Sequence, residues 1–339
     1  MAYATCGRND CDDWVDPLSD GYPQPSNMTD IEASVRLTGA TPAHRPSAMS
    51  RAKSLWVNRR ILRILVLRDL KIRYSDSVLG YVWTLLDPLL LTLVYWFVFG
   101  FVLSRGAPEE QPYLLWLLTG ILPFQWTSHV LNDCGRLLGN DAKLVTSSSL
   151  PREIWPVRTV LSRFIEFLFT LPITVVAVLL YSTLSSSLTP GAPVWSALLL
   201  VPVAFLVQGI LNVGLALFFA PMSMLYPDIQ RVVRVGAQML RYLSPVLYGI
   251  VFLEDLLKDP TKSWPSWMLF GDQTWPEWVL RLYELNPMAG ILDVYHSVLF
   301  PNNSTGAALL PVATAGSIIT LIVGWWVFRR LEPRVLKEM

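Results

Sequence analysis

Residues 68–90 read RDLKIRYSDSVLGYVWTLLDPLL, and this stretch decides the fold. Before Gly80 it is basic and amphipathic; after Gly80 it is almost wholly apolar as far as Leu103. In the helix leading up to it, Arg59, Arg60, Arg63 and Lys71 gather on one face at a 3.6-residue period. Ile61, Leu62, Leu65 and Ile72 gather on the other. A helix of this kind lies in a membrane interface, with apolar side chains at the acyl boundary and basic ones among phosphate headgroups. The polar run 74–77 and Gly80 then supply a break, and the chain turns into a first membrane span.

Composition agrees with a membrane protein. Charged residues make up 16% and hydrophobic ones 53% of the 339, whereas soluble domains carry about 25% charged residues. The spacing of long uncharged runs predicts six spans, over about 80–103, 113–131, 161–181, 195–219, 232–252 and 308–328. With the N-terminus inside, 23 of the 27 Lys and Arg fall on inner segments, which places both termini in the cytoplasm. The net charge of +1 gives no reason to expect nucleic acid as a partner. Residues 1–50 are polar, rich in Pro, Ser, Thr and Asp, and read as a disordered cytoplasmic tail without a cleavable signal.

Catalytic chemistry is missing. The chain has no phosphate-loop pattern with which to cradle ATP, no H-E-x-x-H and no G-x-S-x-G. The three His and three Cys residues are scattered, so no metal set is expected and the expected cofactors on this chain are none. Ionisable groups in the spans or at their ends are few, and Asp87, Asp133, Glu166 and Arg241 are the notable ones. Glu166 follows Arg163 by three residues, which predicts a pair on one helix face. A relay of protonatable residues is absent, so drive must come from another subunit.

Three further segments carry expectations. Between spans two and three, Asn140-Asp141 is suited to cap a short helix lying along the membrane, and Pro151 and Pro156 interrupt the chain beyond that helix. Tyr226-Pro227-Asp228 makes a turn that caps a helix from Ile229. The outer stretch 254–307 is too polar and too rich in proline for a clean span, and it ends in a half-length apolar helix that reads as re-entrant. The aromatic residues Tyr95, Trp96, Trp126, Tyr242, Tyr248 and Phe252 have two readings: interface anchors, or rings that stack on sugar faces along a path.

The string RDLK-x-RY-x-x-S-x-LGY-x-W-x-x-L-x-PL, followed in order by N-x-x-x-L … LPREIWPV, SPVLYG and LNPMAGILDVYHSVLF, resembles ABC-2 type permeases of the polysaccharide-export family. These export O-antigen, teichoic acid or cell-wall galactan. The resemblance implies an all-α polytopic membrane protein. Its parts would be a tail over 1–50, an interfacial helix over 51–79, a six-helix domain over 80–331 and a cytoplasmic C-terminus over 332–339. Within that domain lie a coupling region at 136–160 and an outer re-entrant region at 254–307.

Function follows by the same resemblance. The chain would be the transport subunit of an exporter in a bacterial plasma membrane, working as a homodimer with two nucleotide-binding ATPase subunits that hold ATP and Mg. Its substrate would be a polysaccharide on a polyprenyl pyrophosphate. The lipid headgroup would meet Arg59, Arg60, Arg63, Arg68, Lys71 and Arg73. The ATPase would press on Asn140, Lys143, Leu144, Pro151, Arg152, Glu153 and Trp155. Ser244, Pro245, Asn286 and Pro287 would form an exit gate. Relatives often carry basic residues where this chain has Ser147-Ser148-Ser149. Reversing the charge of Arg68 and Arg73 is expected to cut export and leave assembly intact. Competing readings are an exporter of drugs or small lipids and a membrane-embedded lipid-modifying enzyme.

Overall fold

The structure is a computed structural model that describes residues 48–75, 77–102, 112–148, 150–184, 195–250, 276–301 and 304–338. Among the described residues the chain is helix and turn, with no strand. The tail expected over 1–50, apart from its last three residues, lies outside them, as do Phe252 and the outer stretch 251–275.

Two helices, α1 (Ala48–Val57) and α2 (Arg59–Ser75), precede the first span. The expected break is present: Gly80 has φ +48°, a conformation that costs a side chain about 1–2 kcal/mol and glycine almost nothing. Beyond it, α3 (Val82–Tyr95) runs into a π-helical turn (Trp96–Val102), and together they make the first candidate span. Pro88 sits inside α3 without ending it, and Thr92 Oγ1 donates to the Pro88 carbonyl at 2.7 Å.

Four more helices are long and apolar enough to cross a bilayer, namely α4 (Tyr113–Asn140), α6 (Ile154–Leu184), α7 (Trp195–Leu225) and α11 (Leu310–Glu338). Shorter helices lie between them: α5 (Ala142–Ser147), α8 (Asp228–Tyr242), α9 (Pro276–Glu284) and α10 (Pro287–Ser297). The protein is therefore an all-α, multi-pass membrane protein. α4 is the most enclosed of the five and packs on α6, α7 and α8, while α3 buries only Pro88 and Thr92 and stands at the rim.

The segment expected as a fifth span, 232–252, differs from that expectation. Its helix, α8, has 15 residues and ends at Tyr242, a rise of about 22 Å against roughly 30 Å of hydrocarbon. Pro245 explains the stop, because proline lacks an N–H and pushes the preceding Ser244 away from helical backbone. Turns then carry the chain to Gly249. The turn at Tyr226-Pro227 lies where the sequence puts it, but α8 begins one residue early, and Asp228 favours its first turn by charge rather than as a cap.

Helix association inside a bilayer rests on close packing more than on water exclusion. α7 and α11 lie along each other over most of their lengths. Their crossing is so tight that a Cβ at Gly324 would fall 2.1 Å from the Gly214 carbonyl oxygen. One polar cluster in this interior is well bonded: Gln208 Nε2 donates to the Pro123 carbonyl at 2.7 Å and to Thr127 Oγ1 at 3.0 Å, and Tyr295 donates to Gln208 Oε1 at 2.9 Å.

Every residue of α10 from Met288 to Ser297 is buried, among α4, α7 and α11. At 11 residues it is too short to cross. Asn286 caps it, its Oδ1 accepting from Met288 N at 3.0 Å, with Pro287 in the first turn. His296 stacks face to face on Trp116 at 3.8 Å. Its Nε2 lies 2.9 Å from the Pro245 carbonyl, which only accepts, so that nitrogen carries the proton and the ring is a structural tie.

Candidate functional site: a charged junction of three helices

The end of the bundle where α2, the C-terminal end of α4 and the N-terminal half of α6 meet holds two tiers of ion pairs. In the first, Arg158 of α6 is clamped between Asp69 of α2 at 2.7 Å and Asp141, just beyond α4, at 2.6 Å; Arg68 of α2 reaches the same two carboxylates at 3.3 and 3.2 Å. In the second, Arg163 of α6 contacts Asp133 of α4 at 2.7 Å and Glu166 at 2.6 Å. Arg73 of α2 completes it, pairing with Asp133 at 3.2 Å and closely with Glu166. Each tier is electrically balanced, two arginines against two carboxylates.

Burial makes the tiers matter. Arg158 and Glu166 are 4% and 3% exposed. Charges that deep are stable only when paired, and each tier joins helices, through pairs separated in sequence by up to 93 residues. Burial pushes the Asp69 carboxyl up, against the pull of Arg158 and Arg68. It also pushes the Tyr74 hydroxyl up to about 12, with the Glu166 charge adding to it, so Tyr74 stays protonated beside that carboxylate. The Arg158 guanidinium further lies 5.0 Å over the Trp155 ring, tying the clamp to the first turn of α6.

The residues expected for coupling are brought together here in part. Asn140 is the last residue of α4, and Lys143 and Leu144 lie in α5, with Leu144 exposed and the next residue, Val145, buried. Asp141 stands at the N-cap position of α5 but makes no side-chain cap, because its carboxylate is taken by Arg158 and Arg68. Pro151 opens a turn over Arg152 and Glu153, and Pro156 sits in the first turn of α6, where no N–H is needed, so it interrupts nothing. Glu153 and Trp155 are buried, and Arg152 binds Glu332 of α11 at 3.0 Å. Among its described side chains α5 thus exposes Leu144 and Ser147 and buries Val145, and an anchored turn follows it.

The basic set of the interfacial helix divides. Arg59, Arg60, Arg63 and Lys71 are exposed. Arg68 and Arg73 belong to the ion-pair tiers, so reversing either would set a carboxylate against Asp141 or Asp133 and disturb helix packing as well as any headgroup. The aromatic set divides too. Trp126 is a core side chain, its Nε1–H bonded to the Val160 carbonyl at 3.2 Å and its ring against Phe164 and Phe167. Tyr95 of α3 and Tyr242 of α8 lie near Arg241, which donates to the Tyr95 hydroxyl at 3.4 Å, while Trp96 is exposed. Tyr248 donates to the Tyr242 carbonyl at 2.7 Å.

Of the four residues expected to form an exit gate, Ser244 and Asn286, 42 positions apart in sequence, meet: Asn286 Nδ2 donates to Ser244 Oγ at 3.0 Å and to the Leu243 carbonyl at 3.1 Å, and Pro245 and Pro287 are their neighbours in the chain. The pairing of Arg163 with Glu166 is as the sequence predicts. Asp69, Asp141 and Arg158 are functional candidates that sequence reasoning missed, since a charged residue carries no local signal of which distant partner it meets. Among the described residues no group of three or more His, Cys, Asp or Glu side chains is placed to hold a metal.

No family model matches the chain. Similarity to individual proteins is extensive. The chain is 28% identical to the O-antigen export system permease protein RfbA of Klebsiella pneumoniae over 276 residues, 81% of this chain and 93% of that protein. With the RfbA permease of Myxococcus xanthus it is 26% identical, over 79% of this chain and 91% of the relative. The polysialic acid transport protein KpsM of Escherichia coli is 21% identical, over 80% and 93%.

Proposed function

We propose that this chain is the permease subunit of an ATP-driven exporter that moves lipid-linked polysaccharide outward across the bacterial inner membrane. The observation that carries the reading is the similarity to named export permeases along nearly their whole length, in a chain with five apolar helices of spanning length. Both termini are cytoplasmic in this reading, by the Lys and Arg asymmetry. Both termini inside require a sixth crossing, which in this reading α8 and the turns after it, 228–250, make together, while α9 and α10 belong to the re-entrant outer region.

Two copies work together, since one bundle is narrow for a glycan. The rim helix α3 with the π-helical turn after it, exposing Trp83, Leu90, Val94 and Phe97, faces the second copy or the path. Energy comes from two ATPase subunits, which hold ATP and Mg and press on α5 and the turn at 151–153. The clamp of Arg158 between Asp141 and Asp69 passes that push to α2, so docking element and interfacial helix move as one body. Separation of α3 from α8 then opens the path at the Tyr95–Arg241 contact, and Tyr95, Trp96, Tyr242 and Tyr248 offer ring faces to passing sugars.

Depletion of the chain tests the reading: polysaccharide is expected to vanish from the cell surface and accumulate on lipid inside. Unchanged surface polysaccharide with stimulation of ATP hydrolysis by small hydrophobic compounds would favour a small-lipid exporter instead.

The four exposed members of the basic set gather the lipid headgroup in this account. Each basic residue beside an anionic surface contributes about 1 kcal/mol. Neutralising two of them, Arg60→Gln with Arg63→Gln, is therefore expected to weaken capture of lipid-linked substrate by roughly thirtyfold. Thermal stability in detergent should not change, because neither side chain makes an ion pair among the described residues. Equal export rates at limiting substrate would remove these residues from the account.

A further inference from the structure

Beside the ion-pair tiers lies a cavity of about 670 Å³, bounded by α2, α4, α6 and α8. Five arginines line it, Arg68, Arg73, Arg136, Arg158 and Arg234, against three carboxylates, Asp69, Asp133 and Asp141. All three carboxylates are taken up by the two tiers. Arg136 and Arg234 are left over: they reach the cavity from α4 and α8, and among the described residues neither makes an ion pair.

Depth narrows the ligand. α4 starts at Tyr113, and Asn132, at the cavity wall, stands about 28 Å further along it. With Tyr113 at one edge of the roughly 30 Å hydrocarbon layer, the cavity lies at the other, where phosphate groups of lipids sit. Guanidinium pairs favour phosphate by bidentate hydrogen bonding.

We infer that this cavity is a phosphate-binding site, in which Arg136 and Arg234, the two lining arginines without a carboxylate partner among the described residues, hold the anion. The ligand is a phosphate or pyrophosphate, borne on a lipid or free in solution. The inference deepens the export reading only in naming the lipid as a source; the site itself stands on the cavity. It also separates two tasks, gathering at the exposed face of α2 and holding in the cavity.

The test is binding by the full-length protein in lipid nanodiscs, measured calorimetrically with farnesyl pyrophosphate, inorganic pyrophosphate and farnesol. Saturable binding of the first, competition by the second and none by farnesol are expected. Farnesyl pyrophosphate at least tenfold tighter than inorganic pyrophosphate assigns a lipid-borne anion; equal affinities assign a free one. The double variant R136Q/R234Q, changed at two exposed positions, should lose about tenfold or more in affinity with its melting temperature unchanged. R60Q/R63Q should keep its affinity for inorganic pyrophosphate. Wild-type affinity in R136Q/R234Q would overturn the site. So would loss of the partner ATPase from that variant with phosphate binding intact, which would make the cavity a socket for an acidic protein segment. Failure of the export reading on depletion of the chain would leave the binding result standing.

Discussion

Gly324→Ala will prevent the chain from accumulating as a monodisperse protein. The added methyl would lie 2.1 Å from the Gly214 carbonyl oxygen and 3.0 Å from its carbonyl carbon, and both are backbone atoms that no rotamer change can move. α7 and α11 must separate, and their contact runs along most of both helices. Overpacking ordinarily costs 1–3 kcal/mol; here the clash is with backbone and the loss extends along a closely packed interface. A cost of about 3 kcal/mol or more results from those terms. Size-exclusion chromatography of a fluorescent fusion in mild detergent measures it. Gly236→Ala is the control, since a Cβ there meets nothing within 4 Å and the helix gains about 0.5–1 kcal/mol from alanine. Equal chromatograms for the two variants would contradict the packing described.

The second large effect is Arg163→Met. Its guanidinium holds both Asp133 and Glu166, the latter 3% exposed, and only Arg73 would remain for the two carboxylates. Removing one partner of a buried charge pair costs about 3–5 kcal/mol, most of it the uncompensated charge left behind. The melting temperature should drop sharply. Adding Glu166→Gln should recover much of the loss, because it removes the charge that Arg163 balanced; a further drop of similar size in the double variant would show that the two side chains act independently.

Much of the fold is legible in the sequence because membrane spanning is a matter of length and polarity. The basic run, Gly80 and the apolar stretch behind it announce the turn from α2 into α3, and the left-handed backbone at Gly80 is the reason glycine stands there. The segment 232–252 reads as a span because its composition is apolar enough; Ser244-Pro245 within it is the signal against a continuous helix. For the site, short-range chemistry is readable and long-range chemistry is not. Arg163 and Glu166 are three residues apart on one helix, whereas Arg158 meets Asp69 and Arg73 meets Glu166 only through the packing of α2 on α6. Asp141 shows where local reasoning fails: it stands where a cap belongs, and two arginines from other helices take its carboxylate. Trp126, a candidate for the path, is committed to the core by a carbonyl and two phenyl rings that sequence does not reveal.

Dependence on a separate motor is the central claim, and affinity purification of the full chain from gentle detergent tests it most directly. A phosphate-loop ATPase co-eluting in equal amount, and lost when α5 residues such as Leu144 are changed to aspartate, is the result this account predicts. A chain that elutes alone, or with biosynthetic enzymes, and supports no ATP hydrolysis in any reconstitution would contradict it.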